Sequence, residues 1–321
     1  MEFINRPFAP TGGFAATNLI NIDDFPDAET DYVLELAEYY ARFLKAGQRP
    51  PARLAGKTQI NLFFEDSTRT NLSFELAGRR LGADVLNVPV ATSSVNKGES
   101  LIDTAQTLTA MGAHALIVRH KEPRVHDELA RRIYCPVINA GDGVREHPTQ
   151  ALLDAATIRS VYGTLKGLTI AICGDIKHSR VAASGAALFS RLGAEVRFVG
   201  PAHLMPTPHQ FTNVSRHDVL SDGIAGADIV MALRMQFERM EEGGRDAAKG
   251  YFEAFGLTHE SIRHAKPTAK VMHPGPMNRG VEIEGALADD QERSLVLRQV
   301  FYGVATRMAV LDALITKGSA F

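Results

Sequence analysis

The chain has 321 residues, of which 45% are hydrophobic and 22% are charged, and its formal net charge is -2. This length is too great for one ordinary core and predicts two domains of about 150 residues each. The charge excludes a general attraction to nucleic acid or to an anionic membrane, so affinity for acidic ligands must come from local clusters. No apolar run approaches the roughly 18 residues of a membrane span, and we expect no signal peptide.

The only two cysteines, Cys135 and Cys173, lie in or beside apolar runs that are typical of strands. Free cysteine is often buried, so we expect two buried, reduced thiols. Two cysteines are too few for a disulfide framework, which favours the cytosol as the compartment.

The first half of the chain begins with a predicted helix over 26–46 and then alternates apolar runs with helical patterns. Such alternation predicts βαβ units and a parallel sheet. Gly82 and Gly112 stand at predicted helix ends, where a left-handed residue is favoured. The helix after the first strand has Leu72, Leu76, Ala77 and Leu81 on one side. The predicted strands are 58–64, 84–88, 115–118 and 137–139, and the helices are 71–81, 99–111 and 124–132.

The second half repeats the pattern after a long helix predicted over 149–162. Its strands are predicted at 168–173, 195–199, 229–232 and 269–272, with helices between them, and an apolar helix near 295–315 ends the chain. We place the domain boundary near His147 and Pro148. The first domain is then 1–147, completed by the C-terminal helix over about 294–321, and the second is 148–293.

One charged segment, 238–249, contains Gly243-Gly244 and cannot bury much apolar surface. We predict a mobile loop there. It is either a solvated surface loop without a function or a lid that closes over a site.

Hydroxyl and guanidinium groups gather where the first predicted strand meets its helix, at Ser67, Thr68, Arg69 and Thr70. A helix N-terminus offers unpaired N–H groups and a partial positive charge. An arginine fork and hydroxyl donors added to it make a site for a phosphate dianion.

Seven polar clusters each follow a predicted strand at its C-terminal end, which is where ligands bind in open α/β sheets. They predict one active-site cleft between two doubly wound, parallel-sheet α/β domains. A single arginine there would ordinarily be a surface ion pair, but five cations together, with His147 beside them, would bind several anionic charges. The cations are Arg69, Lys97, Arg119, Arg180 and Arg234. The clusters are 67–70, 93–99, 119–120, 145–150, 174–180, 233–236 and 273–276.

Other kinds of site have no pattern in this chain. The eleven histidines lack the spacing of zinc ligands, and there is no G-x-S-x-G, G-x-G-x-x-G or G-x-x-x-x-G-K-[ST] motif. We therefore expect no metal and no cofactor, and a reaction that depends on fixed donors, charge stabilisation and positioning.

The ordered motifs resemble those of the aspartate/ornithine carbamoyltransferase family over essentially the whole chain. Each motif is weak alone, but the ordered set is specific. Lys97, Arg234 and Gln236 match the aspartate branch, whereas the ornithine branch carries S-M-G and H-C-L-P motifs. In family order the motifs are S-T-R-T (67–70), S-x-x-x-K-G-E (93–99), R-H (119–120), H-P-T-Q (147–150), G-D-x-x-x-x-R (174–180), L-R-x-Q (233–236) and H-P-x-P (273–276).

The resemblance implies transfer of the carbamoyl group from carbamoyl phosphate to L-aspartate, an early step of de novo pyrimidine (UMP) biosynthesis, without a covalent intermediate. It implies that the carbamoyl phosphate ligands are Ser67, Thr68, Arg69, Thr70, Ser93, Arg119, His147, Gln150, Gly275 and Pro276, with the backbone of Pro274. It assigns aspartate binding to Lys97, Arg180, Arg234 and Gln236. The catalytic set would be Arg69, Thr70, Lys97, Arg119 and His147.

The resemblance also implies partners. Ser93 and Lys97 would enter the site of a neighbouring subunit, so the chain would form a homotrimer with shared active sites. The stretch H-P-G-P-M-N-R-G resembles the branch whose catalytic chains associate with dihydroorotase, and a regulatory chain is the other implied partner. Gly275 replaces a leucine common in the enteric branch, a change that a backbone contact would survive.

Two alternatives remain. One is a carbamoyltransferase with another amine acceptor, such as ornithine or putrescine. The other is a non-catalytic anion-binding subunit on the same fold. An ornithine site would need an acid for the distal ammonium, whereas aspartate brings two carboxylates that suit Arg180, Arg234 and Lys97.

Overall fold

A computed structural model describes residues 13–88, 99–235 and 244–317 of the chain. The backbone separates into two units. The first is Met1–Ala156 with Val300–Phe321, and the second is Thr157–Gln299. The functional boundary expected near His147 stays a prediction.

The first unit is built on a parallel sheet of four strands in the order β2-β1-β3-β4. The strands are β1 (Thr58–Phe63), β2 (Asp84–Val88), β3 (Ala115–His120) and β4 (Val137–Asp142). Its helices are α1 (Asp27–Lys45), α2 (Thr68–Arg80), α3 (Leu101–Ala110), α4 (Val125–Arg132) and the first part of α5 (Pro148–Tyr162). A core of aliphatic side chains from β1, β3 and β4, including Ile60, Leu116 and Val137, holds the sheet against its helices.

The second unit is built on a parallel sheet of five strands in the order β7-β6-β5-β8-β9. The strands are β5 (Thr169–Cys173), β6 (Glu195–Val199), β7 (Val214–His217), β8 (Ile229–Ala232) and β9 (Lys270–Met272). The helices that follow α5 in this unit are α6 (Arg180–Arg191), α7 (Leu220–Ile224), α8 (Gly244–Phe255) and α9 (Gly285–Ala288). The last helix, α10 (Val296–Thr316), belongs to the first unit from Val300 onward. Ala171, Val230 and Val271, from three neighbouring strands, lie in its buried core.

Both sheets confirm the predicted α/β class with parallel strands. One strand was missed. β7 reads V-S-R-H, lies at the edge of its sheet and has no fully buried residue, so neither an apolar run nor a clear alternation marks it. Strands buried on both faces read as continuous apolar runs, which is why the interior strands were predictable.

One helix face was not predicted, and one other expectation was wrong. Leu72 and Leu76 are exposed, because α2 buries the side that carries Thr70, Phe74 and Ala77. The predicted loop 238–249 is helical from Gly244 onward, where α8 begins, and its earlier part lies outside the described residues.

The cysteines follow the prediction in part. Both are free thiols, but only Cys173 is buried, whereas Cys135 is half-buried. Burial raises the pKa of each thiol above its ordinary value. Within the described ranges, no helix combines the length and the apolar character that crossing a bilayer would require.

Candidate active site

The strand order of the first sheet reverses between β1 and β3, which makes their carboxyl ends neighbours. Phe63, the last residue of β1, is the register partner of Arg119 on β3. The N–H of Phe64 donates to the carbonyl of Arg119 at 2.9 Å, so the backbone after β1 stays hydrogen-bonded to β3 beyond the end of β1. In open α/β sheets the crevice outside such a reversal is where ligands bind.

The helix after β1 begins three residues earlier than the pattern predicted. Ser67 is its N-cap residue (φ -159°, ψ 87°), and Thr68 is the first helical residue. Thr68, Arg69 and Thr70 therefore form the first turn of α2, with Thr68 and Arg69 exposed and Thr70 buried. The Ser67 side chain makes no capping hydrogen bond. The positive end of the helix, two hydroxyls and a guanidinium thus share one turn.

Arg119 is anchored by two contacts that aim its side chain along the strand end. Its Nη1 donates to the carbonyl of Ala140 at 3.2 Å, and its Nε lies 3.4 Å from a carboxylate oxygen of Glu65. Its side chain is only 12% exposed. A guanidinium held this way keeps its charge and its direction, which suits it to a developing oxyanion.

A buried carboxylate organises the turn that delivers His147. Asp142, the last residue of β4, accepts from the N–H of Glu146 at 2.9 Å and from Nη2 of Arg145 at 2.8 Å. The N–H of Arg124 adds a third donor at 3.2 Å. Burial raises the pKa of Asp142, but the His126 ring, whose Nδ1 lies 3.7 Å from Oδ2, and the hydrogen bonds from Arg145 outweigh burial and hold this pKa below its ordinary value. The turn is closed by the bond from the N–H of Asp142 to the carbonyl of Glu146, at 3.0 Å.

His147 then stands at the start of α5, where it is 5% exposed. Its carbonyl accepts from the N–H of Gln150 at 2.9 Å and from that of Ala151 at 3.2 Å. Gln150 is also buried and lies on the first turn of the helix. The first unit therefore brings four predicted groups to one edge of its sheet: Ser67–Thr70, Arg119, His147 and Gln150.

The strand order of the second sheet reverses between β5 and β8, and Gly174 allows the carboxyl ends of these two strands to approach each other. A Cβ on Gly174 would lie 2.9 Å from the carbonyl oxygen of Leu233, and the residue has φ +133°. The N–H of Leu233 donates to the carbonyl of Cys173 at 2.8 Å. Only glycine fits this position without a shift of the backbone.

The loop after Gly174 leads to an arginine at the start of α6. Asp175 is fully buried, and one of its oxygens lies 2.9 Å from Nδ1 of His178. Ser179 caps the helix by accepting from the N–H of Ala182 at 3.2 Å, and Arg180 is the first helical residue. Arg234 follows β8 two residues after its end, and both arginines are half-buried.

A buried histidine fixes the loop that follows β9. Nδ1 of His273 accepts from the N–H of Gly275 at 2.8 Å, so Nε2 carries the proton and donates to Glu282 at 3.2 Å. The same carboxylate oxygen accepts from the N–H of Asn278. Gly275 has φ +70°, a conformation that favours glycine and accounts for its presence here. Gly275 and Pro276 are joined by a cis peptide bond.

The second unit thus gathers Arg180, Arg234 and the Gly275–Pro276 turn at the carboxyl edge of its sheet. Ser93, Lys97 and Gln236 lie outside the described residues. Sequence reasoning gave no role to the four acids that hold the site in place: Glu65, Asp142, Asp175 and Glu282. Glu65, Asp142 and Asp175 lie within two positions of a strand end, and Asp175 belongs to the G-D-x-x-x-x-R motif. Glu282 lies ten positions after the end of β9 and has no such signal. Among residues 13–88, 99–235 and 244–317, no three histidine, cysteine or acidic side chains converge to hold a metal ion.

Family models match both halves of the chain. The model described as aspartate/ornithine carbamoyltransferase, carbamoyl-P binding domain, matches residues 17–160, and the Asp/Orn binding domain of the same family matches residues 166–314. The chain belongs to the aspartate/ornithine carbamoyltransferase family.

Individual relatives from the two branches of this family differ in sequence identity to the chain but hardly in backbone similarity. The aspartate carbamoyltransferase catalytic subunit of Granulibacter bethesdensis is 53% identical, covering 94% of this chain and 95% of its own. Aspartate transcarbamoylase from Trypanosoma cruzi, solved with carbamoyl phosphate and aspartate, is 33% identical (TM-score 0.84; 95% of this chain, 97% of that chain). Ornithine carbamoyltransferase from Pyrococcus furiosus is 27% identical (TM-score 0.86; 95% and 98%). The backbone therefore does not distinguish the acceptors, and side chains must.

Proposed function

We propose that this chain is the catalytic subunit of an aspartate carbamoyltransferase, which converts carbamoyl phosphate and L-aspartate to N-carbamoyl-L-aspartate and phosphate. The observation that carries the proposal is the pair Arg180 and Arg234 at the carboxyl ends of β5 and β8. Two guanidinium groups suit the two carboxylates of aspartate. An acceptor with a distal ammonium would instead need an acid there.

The phosphate is bound by the first unit, at the N-terminus of α2. Backbone N–H groups of the first turn, the hydroxyls of Ser67, Thr68 and Thr70, and the guanidinium of Arg69 supply donors to its oxygens. The helix dipole and the arginine stabilise the negative charge that grows as phosphate leaves. Ser93 and Lys97 complete the site from a neighbouring subunit.

The carbonyl oxygen of the carbamoyl group faces Arg119, His147 and Thr70. When the aspartate amine attacks, this oxygen gains negative charge, and the three donors stabilise it. Arg119 is already held by Ala140 and Glu65, so little reorganisation is needed. Gln150 and the backbone of Pro274 and Gly275, with Pro276, face the carbamoyl NH2.

The chemistry uses neither a covalent intermediate nor a metal, because phosphate is a good leaving group and cationic side chains supply the charge. Aspartate must lose a proton from its ammonium before it attacks. The departing phosphate takes the proton that the amine loses on forming the C–N bond. Arg180, Arg234, Gln236 and Lys97 hold the two carboxylates and orient the amine.

A homotrimer with shared sites is the assembly we propose, and exposed leucines on the first unit support it. Leu72 and Leu76 on α2 and Leu86 on the edge strand β2 are 53%, 45% and 53% exposed. Large apolar side chains on neighbouring elements favour burial against another copy of the chain. The strand β2 runs directly into 89–98, the segment that carries Ser93 and Lys97.

Mixing two inactive variants tests the shared site. Arg69→Ala and Lys97→Ala trimers, dissociated and reassembled together, would contain some sites with both residues intact. Recovery of activity on mixing supports sharing. No recovery, with mixed trimers verified by mass, would exclude it.

The two free cysteines fit a cytosolic enzyme of pyrimidine biosynthesis. Dihydroorotase or a regulatory chain is the partner to be sought by co-purification.

The function itself is tested by offering several acceptors side by side. Purified protein is supplied with carbamoyl phosphate and with aspartate, ornithine, putrescine or N-acetylornithine, and the carbamoylated product is measured. We expect product with aspartate and at least about a hundredfold lower kcat/KM with the others, since each would leave buried or ionic groups unpaired. Preference for another amine would replace the acceptor assignment, and no product with any acceptor would favour a non-catalytic anion-binding subunit.

A further inference from the structure

Asp154 is a fully buried carboxylate on α5, one helical turn after Gln150. Nε2 of Gln150 donates to Oδ1 of Asp154 at 3.0 Å. An ionised carboxylate only accepts hydrogen bonds, whereas an amide has a donor end and an acceptor end. The contact therefore selects one of the two orientations of the Gln150 amide. The NH2 end faces Asp154, and the carbonyl oxygen Oε1 faces away from it.

A buried arginine on α10 compensates the charge of Asp154. Arg307 is 3% exposed, and its guanidinium lies over the ring of Phe74 on α2, at 5.1 Å from the ring centroid. Burial lowers the pKa of Arg307 to about 10, and the nearby Asp154 carboxylate opposes that shift. Arg307 is thus still protonated at neutral pH. A buried cation near a buried carboxylate offsets part of the cost of removing each charge from water.

Gly303 on α10 packs beside both Arg307 and α5. Nη1 of Arg307 donates to the carbonyl of Gly303 at 3.1 Å. A Cβ on Gly303 would lie 3.0 Å from that same Nη1 and 3.5 Å from Leu153, the neighbour of Asp154. Glycine here leaves room for the guanidinium of Arg307, whereas the contact with Leu153 would be an ordinary one. Arg307 also contacts α2 through Phe74.

We propose that Asp154, supported by Arg307, is a specificity-determining residue that makes the site prefer a carbonyl phosphate bearing NH2 to one bearing CH3. The inference rests on the proposed function, in which Gln150 faces the carbamoyl NH2. With its Oε1 turned to the ligand, Gln150 accepts a hydrogen bond from NH2, whereas a methyl group has none to donate. Asp154 acts through Gln150 and is a positioning residue that does not touch the ligand.

Two stable phosphonates that differ at one group make the test. Phosphonoacetamide carries NH2 and acetonylphosphonate carries CH3 in the same place, and each is titrated calorimetrically into the full-length protein. We expect the wild type to prefer the amide by about tenfold to a hundredfold, the range for leaving one buried polar group unpaired. In Asp154→Asn, the new amide can donate to Oε1 of Gln150 and stabilise the reversed orientation. The preference should then fall to within about threefold, through weaker binding of phosphonoacetamide alone.

Matched variants separate this role from a structural one. Asp312→Asn removes the charge of a different buried acid, which lies on α10, is 1% exposed and pairs with Arg53. This variant should keep the preference for phosphonoacetamide. Gln150→Leu should lower the preference at least as far as Asp154→Asn does, and adding Asp154→Asn to it should change nothing further. If Asp154→Asn does not fold, the double variant Asp154→Asn/Arg307→Gln removes both charges and carries the same expectation.

Three results would overturn the inference: no preference in the wild type, an unchanged preference in Asp154→Asn, or equal weakening of both ligands. The outcome is independent of turnover. A protein that fails to carbamoylate aspartate but still separates the two phosphonates would refute the proposed function and leave the role of Asp154 standing.

Discussion

Replacing Asp142 tests whether one buried carboxylate holds the turn that delivers His147. Asp142→Asn keeps the size of the side chain but removes its charge and places an NH2 group where one oxygen accepted hydrogen bonds. In the wild type those oxygens accept from Glu146 N–H at 2.9 Å and from Arg145 at 2.8 and 3.0 Å. After substitution, the NH2 group of the asparagine faces N–H groups that also donate, so these groups lose their acceptor.

The magnitude follows from burial. Asp142 is fully buried, whereas the Arg145 side chain is 24% exposed and can regain water when the pair is lost. Breaking a buried pair costs about 3 to 5 kcal/mol, and we expect the lower end, about 3 kcal/mol of the free energy of unfolding. Turnover should fall as well, since the turn no longer fixes His147.

The pH dependence has a definite sign. The folded-state pKa of Asp142 lies below its ordinary value, so its contribution is present above about pH 4 and is lost as pH falls through the folded pKa. Asp312 is the opposite case. Burial raises its pKa, although Tyr40 and Arg53 oppose the shift, so its contribution is present at low pH and is lost as pH rises.

Urea denaturation of wild type, Asp142→Asn and Asp312→Asn at several pH values from about 3.5 to about 7 measures both effects. The difference between wild type and Asp142→Asn should shrink toward acid, and the difference for Asp312→Asn should shrink toward neutral pH. A loss below about 0.5 kcal/mol for Asp142→Asn, or parallel pH curves for the two variants, would refute the reasoning.

Three further predictions concern the site and its scaffold. Arg69→Ala should lower kcat about a hundredfold or more, as loss of an oxyanion donor does, and steady-state kinetics that show unchanged turnover would remove Arg69 from the phosphate site. Arg234→Ala should raise the KM for aspartate at least about tenfold with little change in the KM for carbamoyl phosphate, and a reverse pattern would contradict its assignment. Gly174→Ala should destabilise the protein by about 2 to 4 kcal/mol in urea denaturation, because its Cβ would lie 2.9 Å from a carbonyl oxygen, and a neutral effect would show that the β5 and β8 ends can move apart.

The interior strands and the cationic clusters were predictable because both leave local signals. β1, β3, β5 and β8 are central strands, so they appear as apolar runs in the sequence. The polar residues that follow them stand out against those runs. The edge strand β7 gave no such signal, and neither did the exposed side of α2 with Leu72 and Leu76, because exposure there depends on which neighbours cover the helix.

The sequence alone determined the chemistry available at the sheet edges: Arg69 and Thr70 at the start of one helix, Arg119 at a strand end, and Arg180 and Arg234 in the second half. These positions follow from strand direction, since parallel strands carry their carboxyl ends to one side. The tertiary structure decided how each group is held. Asp142 accepts a hydrogen bond from Glu146 and so fixes the turn that precedes His147. Glu282 accepts a hydrogen bond from His273, nine positions before it. Arg307 reaches Phe74 from the far end of the chain. Such contacts join residues whose separation in sequence carries no periodic signal, and only packing brings them together.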